Sequence, residues 1–79
     1  MLRSLDGKSP KIDRTAGVSK TAYLIGDVEV GPRSSIWPGV VIRADSDKIK
    51  IGAGTNIQDN SVLHADDDAE IGDNVTIGH

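Results

Sequence analysis

The sequence predicts an all-β fold, a parallel β-helix of about three and a half triangular coils of about 18 residues each. Three observations carry that expectation. Counting in sixes, a branched aliphatic recurs at Ile12, Val18, Leu24, Val30, Ile36 and Ile42, resumes at Ile51, Ile57 and Leu63, and resumes again at Ile71 and Ile77. Ile, Leu and Val fill 20 of the 79 positions, so chance would supply one at each step roughly a quarter of the time, and the unbroken run is a repeat. The fourth residue after each aliphatic is small or β-branched, at Ala16, Ala22, Val28, Ser34, Val40, Thr55, Ser61 and Val75, which defines a second inward column. Finally, one Trp, one Tyr, no Phe and no Cys leave neither an aromatic cluster nor a disulfide frame to build a core from. Thin layers of aliphatics remain.

Taken in order, residues 1–11 carry Ser, Gly, Pro and Lys without a period and read as an N-terminal arm or lead-in. The β-helix domain spans 12–79. Ile12, Val18 and Leu24 open the three faces of coil one, followed by Val30, Ile36 and Ile42 in coil two, and Ile51, Ile57 and Leu63 in coil three. Ile71 and Ile77 begin a fourth. Each face is a short parallel strand about 4.8 Å from its equivalents above and below. The breaks in phase, three extra residues before Ile51 and two before Ile71, are expected to bulge as loops. Asp66, Asp67, Asp68 and Glu70 fall in the second and read as a solvated loop, without the spacing or central Gly of a calcium loop. Asn56, Asp59, Asn60, Asp73 and Asn74 fall near corners, where residues tolerant of left-handed backbone belong.

A net charge of −3 with scattered basic residues gives no footprint for nucleic acid or an anionic membrane. Arg3, Asp6 and Lys8 interrupt the N-terminal segment, which is no signal peptide or membrane span, so the sequence reads as cytoplasmic.

The side chains that decorate the coil are more specific than the coil. Gly26–Gly31 (GDVEVG), Ser35–Asp45 (SIWPGVVIRAD), Ile51–His64 (IGAGTNIQDNSVLH) and Ile71–His79 (IGDNVTIGH) together resemble the γ-class carbonic anhydrases of the hexapeptide-repeat superfamily. The resemblance implies a left-handed coil and the reversible hydration of carbon dioxide to bicarbonate by a metal-bound hydroxide at a subunit interface. Zinc is the metal implied, with iron or cobalt as alternatives. Carried over, the family's functional set falls on Arg43, Asp45, Gln58, Asp59, His64 and His79. His64 and His79 would bind the metal, Gln58 would hydrogen-bond the metal-bound oxygen, and Arg43 with Asp45 would join subunits. The family's third metal His would fall beyond His79, so the domain is expected to continue past this sequence. The chain as given is expected to hold zinc weakly and turn over little carbon dioxide. Some family members also carry an acidic residue directly after the counterpart of Asp45 to move protons, where this chain has Ser46.

The hexad phase places these residues independently of the resemblance. Arg43 follows Ile42 and His64 follows Leu63, so the two stack on the third face of successive coils. His79, two after Ile77, lies over Asp59, two after Ile57, and a carboxylate beside an imidazole is what fixes the tautomer of a metal ligand. His64 and His79 are on the order of 10 to 16 Å apart around a corner, too far to share one ion. A homotrimer solves this by bringing one chain's His79 to its neighbour's His64. Blander readings are exposed or interface histidines, an ordinary Arg43–Asp45 surface pair, a corner cap at Gln58 and Asp59, and packing for Trp37. Two competing functions remain: a catalytically silent scaffold or assembly subunit, and an acyltransferase on the same coil. The second is disfavoured by the short insertions and the absence of extra C-terminal coils.

Overall fold

An inward aliphatic flanked by outward neighbours makes a β-segment of only two or three residues before the chain must turn. The computed structural model describes residues 1–65 and 67–78, with the backbone alone for Ser46. Its strands are β1 (Leu2–Arg3), β2 (Lys11–Ile12), β3 (Gly17–Val18), β4 (Tyr23–Val30), β5 (Ser35–Ile36), β6 (Val41–Ile51), β7 (Asn56–Ile57), β8 (Val62–His64), β9 (Ala69–Ile71) and β10 (Thr76–Ile77). Among the described residues there is no helix. All ten strands pair in parallel, as a β-helix requires. The two long strands, β4 and β6, each bend through a corner and serve two faces.

Three aliphatic columns result, each on one face of the prism. Ile12, Val30, Ile51 and Ile71 stack on the first face, Val18, Ile36, Ile57 and Ile77 on the second, and Leu2, Leu24, Ile42 and Leu63 on the third. Leu2 thus gives the third face a fourth member, and the stack reaches about four turns. The step of ten from Leu2 to Ile12 hides the hexad period because a hairpin absorbs the excess. Asp6 and Gly7, at φ 52° and 77°, form its tip, closed by Leu5 N–H to Lys8 O at 2.8 Å and Lys8 N–H to Leu5 O at 3.0 Å. Positive φ at both central residues matches the twist of a two-residue hairpin. The two later insertions occupy the same corner, between third and first faces: pairing steps from Gly26–Ala44 to Val28–Ile49. Glu70, expected in the second loop, lies instead in β9 opposite Lys50.

The interior closes around Leu24, Ile42, Ile57 and Ile51, all at most 1% exposed; truncating one such Ile to Ala costs about 2–5 kcal/mol. The second inward column is partly polar, and its hydroxyls are satisfied between coils. Ser34 Oγ donates to Gly52 O at 2.6 Å and accepts from Thr55 N–H at 3.0 Å. Thr55 Oγ1 repeats the motif one coil on, donating to Gly72 O at 2.6 Å and accepting from Val75 N–H at 3.2 Å. Each buried hydroxyl therefore bonds the next coil twice, which removes the cost of burying it. Of the corner residues expected to be left-handed, Asn60 and Asn74 are (φ 62° and 56°), whereas Asn56 is in strand β7. Arg33 also adopts this conformation (φ 59°), its amide held by Thr15 Oγ1 at 3.0 Å.

Gly26 has φ 84°, and a Cβ there would run into the Ala44 carbonyl of the next coil. Gly17 has open space and ordinary φ. Gly26→Ala is accordingly expected to destabilise by at least about 2 kcal/mol and Gly17→Ala to be neutral or mildly stabilising, read from chemical denaturation midpoints. On the first face, a hydrogen bond from Lys48 holds the Glu29 carboxyl below its ordinary value, against the opposing effect of burial, with the charges of Lys48, Lys50 and Lys11 adding to the lowering. A lowered folded-state pKa contributes stability above the unfolded value of about 4.3 that is lost as pH falls through the folded one. Wild type should therefore lose stability more steeply below about pH 4.3 than Glu29→Gln, as thermal melts across that range would show.

Candidate functional site

Because Ile42 and Leu63 point inward, their neighbours on either side point out. Val41 pairs with Val62 and Arg43 with His64 on the outer surface of the third face. Ala44 turns in, at 3% exposed, and Asp45 returns to the surface beside the insertion corner. One carboxylate oxygen joins the cluster: Asp45 Oδ2 lies 2.7 Å from Arg43 Nη2 and 3.2 Å from His64 Nε2. An ionised carboxylate only accepts, so Nε2 is the donor in the second contact. The Arg43 hydrogen bond holds the Asp45 carboxyl below the usual range, against burial, with the charges of Arg43 and His64 adding to it. All three side chains are between one third and one half exposed, so the cluster sits on the surface and not in a closed cavity.

Apolar side chains border it. Tyr23, Val41 and Val62 form the adjacent outward column, and Val62 is 66% exposed. Ile25 stacks against Arg43 in register, and Arg3 Nη1 donates to Tyr23 Oη at 3.0 Å. The alternation about Ile42 and Leu63 is the signal by which the sequence could have shown this column. It could not have shown that Asp45 reaches across to His64, because that depends on how β6 leaves the third face.

Gln58 and Asp59 lie elsewhere, at the corner between second and third faces. Gln58 is half-buried and its amide bonds Ile77 O at 3.0 Å, while Asp59 is exposed. Among the described residues no hydrogen bond joins either side chain to the Arg43–Asp45–His64 cluster. His79, and with it the pairing of Asp59 with His79, lies outside the described residues. So does Asp66 of the acidic run. Trp37 is 48% exposed, its Nε1–H directed to Ser35 Oγ at 3.0 Å. Among the described residues no three His, Cys, Asp or Glu side chains converge; the described donor set is one outward imidazole backed by a carboxylate, which fits half of a site shared between chains.

No family model matches the sequence. "Gamma carbonic anhydrase 3, mitochondrial" of Arabidopsis thaliana is 48% identical over 99% of this chain and 33% of its own length. A carbonic anhydrase of Geobacillus kaustophilus is 41% identical over the whole chain and 44% of its own length. Among solved structures, a hexapeptide transferase family protein from Anaplasma phagocytophilum superposes with a TM-score of 0.95 at 52% identity, covering 99% of this chain and 46% of that one. The chain thus spans between a third and a half of the length of these relatives. With a parallel β-helix in register along all three faces and these likenesses over its full length, the chain is γ-carbonic-anhydrase-like and shares the hexapeptide-repeat β-helix of these relatives.

Proposed function

We propose that the third face supplies half-sites of a carbonic-anhydrase centre that hydrates carbon dioxide to bicarbonate between the subunits of a homotrimer. The observation that supports this reading is the Arg43–Asp45–His64 cluster, set on an outer face beside an exposed apolar column. His64 of one subunit and His79 of the next would hold the metal, and nitrogen donors of this kind suit zinc, with iron or cobalt also accommodated. Once bound, such an ion supplies a water-derived nucleophile at neutral pH. Asp45 fixes the ring of His64, and Arg43 keeps Asp45 ionised where it does so. Gln58 contributes an amide to the reacting oxygen and Asp59 orients His79. Val62, exposed on β8 at the end of the third-face stack, would be covered by association, and Val41 and Val62 would offer the apolar contact that carbon dioxide needs.

A catalytically silent scaffold is the second reading, favoured by Ser46 at the position where family members carry a proton-moving acid. Among the described residues no helix is long and apolar enough to cross a membrane. The cytoplasmic placement expected from the sequence does not follow from the family, since the plant relative is named as mitochondrial.

Light scattering is expected to give the mass of a trimer, and Val62→Asp to weaken assembly at least about tenfold while leaving the coil's thermal midpoint nearly unchanged, because Val62 lies outside the core. A monomeric wild type at micromolar concentration would remove the interface reading. Zinc titration and stopped-flow hydration test the chemistry: His64→Ala should lose at least about tenfold in zinc affinity, and any turnover should depend on added zinc and vanish in that variant.

A further inference from the structure

The first face carries its charge in bands. Its outward residues stack in register as Lys11, Glu29, Lys50 and Glu70. Two residues earlier in each later coil come Asp27, Lys48 and Asp68, and Lys8 Nζ lies 3.9 Å from Asp27 Oδ2. Coil by coil these two columns present Lys8 with Lys11, Asp27 with Glu29, Lys48 with Lys50, and Asp68 with Glu70: positive, negative, positive, negative, with Asp13 beside the first band. Contacts between coils follow the same alternation. Lys48 Nζ is 3.0 Å from Glu29 Oε1, and separately the Lys48 backbone N–H donates to Asp68 Oδ1 at 2.8 Å.

These pairs leave the charges open to a second partner. The Lys8 and Lys48 side chains are 61% and 42% exposed and that of Glu29 is 30% exposed, while that of Asp27, at 18%, is the most covered; Lys11, Lys50, Asp68 and Glu70 are exposed residues. Alternating bands have a symmetry consequence: about a two-fold set between the Glu29 and Lys50 coils, each band meets one of opposite sign. Turned about a two-fold axis along the strand direction, a second copy would set the partner's Glu70 against Lys11, the partner's Lys50 against Glu29, the partner's Lys48 against Asp27 and the partner's Asp68 against Lys8. Each pair would then occur twice. A parallel arrangement would instead set like bands together at every coil, which is unfavourable.

We propose that the first face is an interface for a second copy of this chain, packed antiparallel through complementary charge bands. The contact is isologous and lies on a different face from the apolar column and Arg43. Single exposed ion pairs are weak and screened by salt, so the association is carried by the whole pattern and belongs to low ionic strength.

A charge-swap experiment on the 79-residue chain tests it. Sedimentation at an ionic strength of about 10 mM should give twice the mass seen at about 1 M, since the screening length falls about tenfold between them. Lys50→Glu and Glu29→Lys each place like charges across the two-fold, and each alone is expected to lose the doubling. Mixed in equal amounts they are complementary, and the doubling should return. Lys11→Glu and Glu70→Lys repeat the design on exposed side chains should Glu29→Lys unfold the coil, which far-UV circular dichroism would show. A mass independent of salt overturns the proposal, and so does a mixture that fails to associate, because intrachain stabilisation alone cannot be restored by mixing two variants. The readout is a ratio, so it holds whether the unit that doubles is one chain or three.

Discussion

One constraint governs this molecule: each residue sits directly over its equivalent in the coil below, at the strand spacing of about 4.8 Å. Side chains in a column cannot avoid one another, so every column must hold residues that can be neighbours of their own kind or of their complement. The aliphatic columns meet this by close packing, and the Ser34–Thr55 series by hydroxyls that bond the next coil. Gly31 and Gly52 meet it by having no side chain, since a Cβ on Gly31 would come within 2.7 Å of the Gly52 carbonyl. On the first face the answer is alternation of sign.

The same spacing explains why so much of the fold was legible. A period read along the chain becomes a column in space without any long-range guess about pairing, so Ile36 over Val18 and Ile57 over Ile36 follow from counting. Counting fails where a loop changes the phase. Leu2 is out of phase with the hexads because the hairpin at Asp6 and Gly7 separates it from Ile12 by more than one hexad. Glu70 reads as a loop residue in the sequence because the start of β9 carries no branched aliphatic before Ile71. Arg33 in left-handed backbone had no sequence signal, being neither Gly nor Asx, and its conformation depends on Thr15 of the coil before.

Within the candidate site, the stacking of His64 on Arg43 was legible for the same reason. The role of Asp45 was only half legible. Its spacing from Arg43 suggested an ion pair, but the oxygen that pairs with Arg43 also meets His64, and that depends on the path of β6 out of the third face. A composite cluster of this kind joins residues from two coils. Its geometry is therefore as rigid as the hydrogen bonding between those coils, although the side chains themselves are exposed.

The corner between the third and first faces has a consequence of another sort. The N-terminal hairpin and both insertions leave the prism at this one edge, yet the columns on either side stay in register. Among the described residues the ladder thus changes its length at a single seam. That seam borders Asp45 on one side and Lys48 on the other, so additions there alter what approaches the cluster without disturbing the frame that holds it. It is where variety can accumulate in such a fold, and where a grafted peptide would be tolerated.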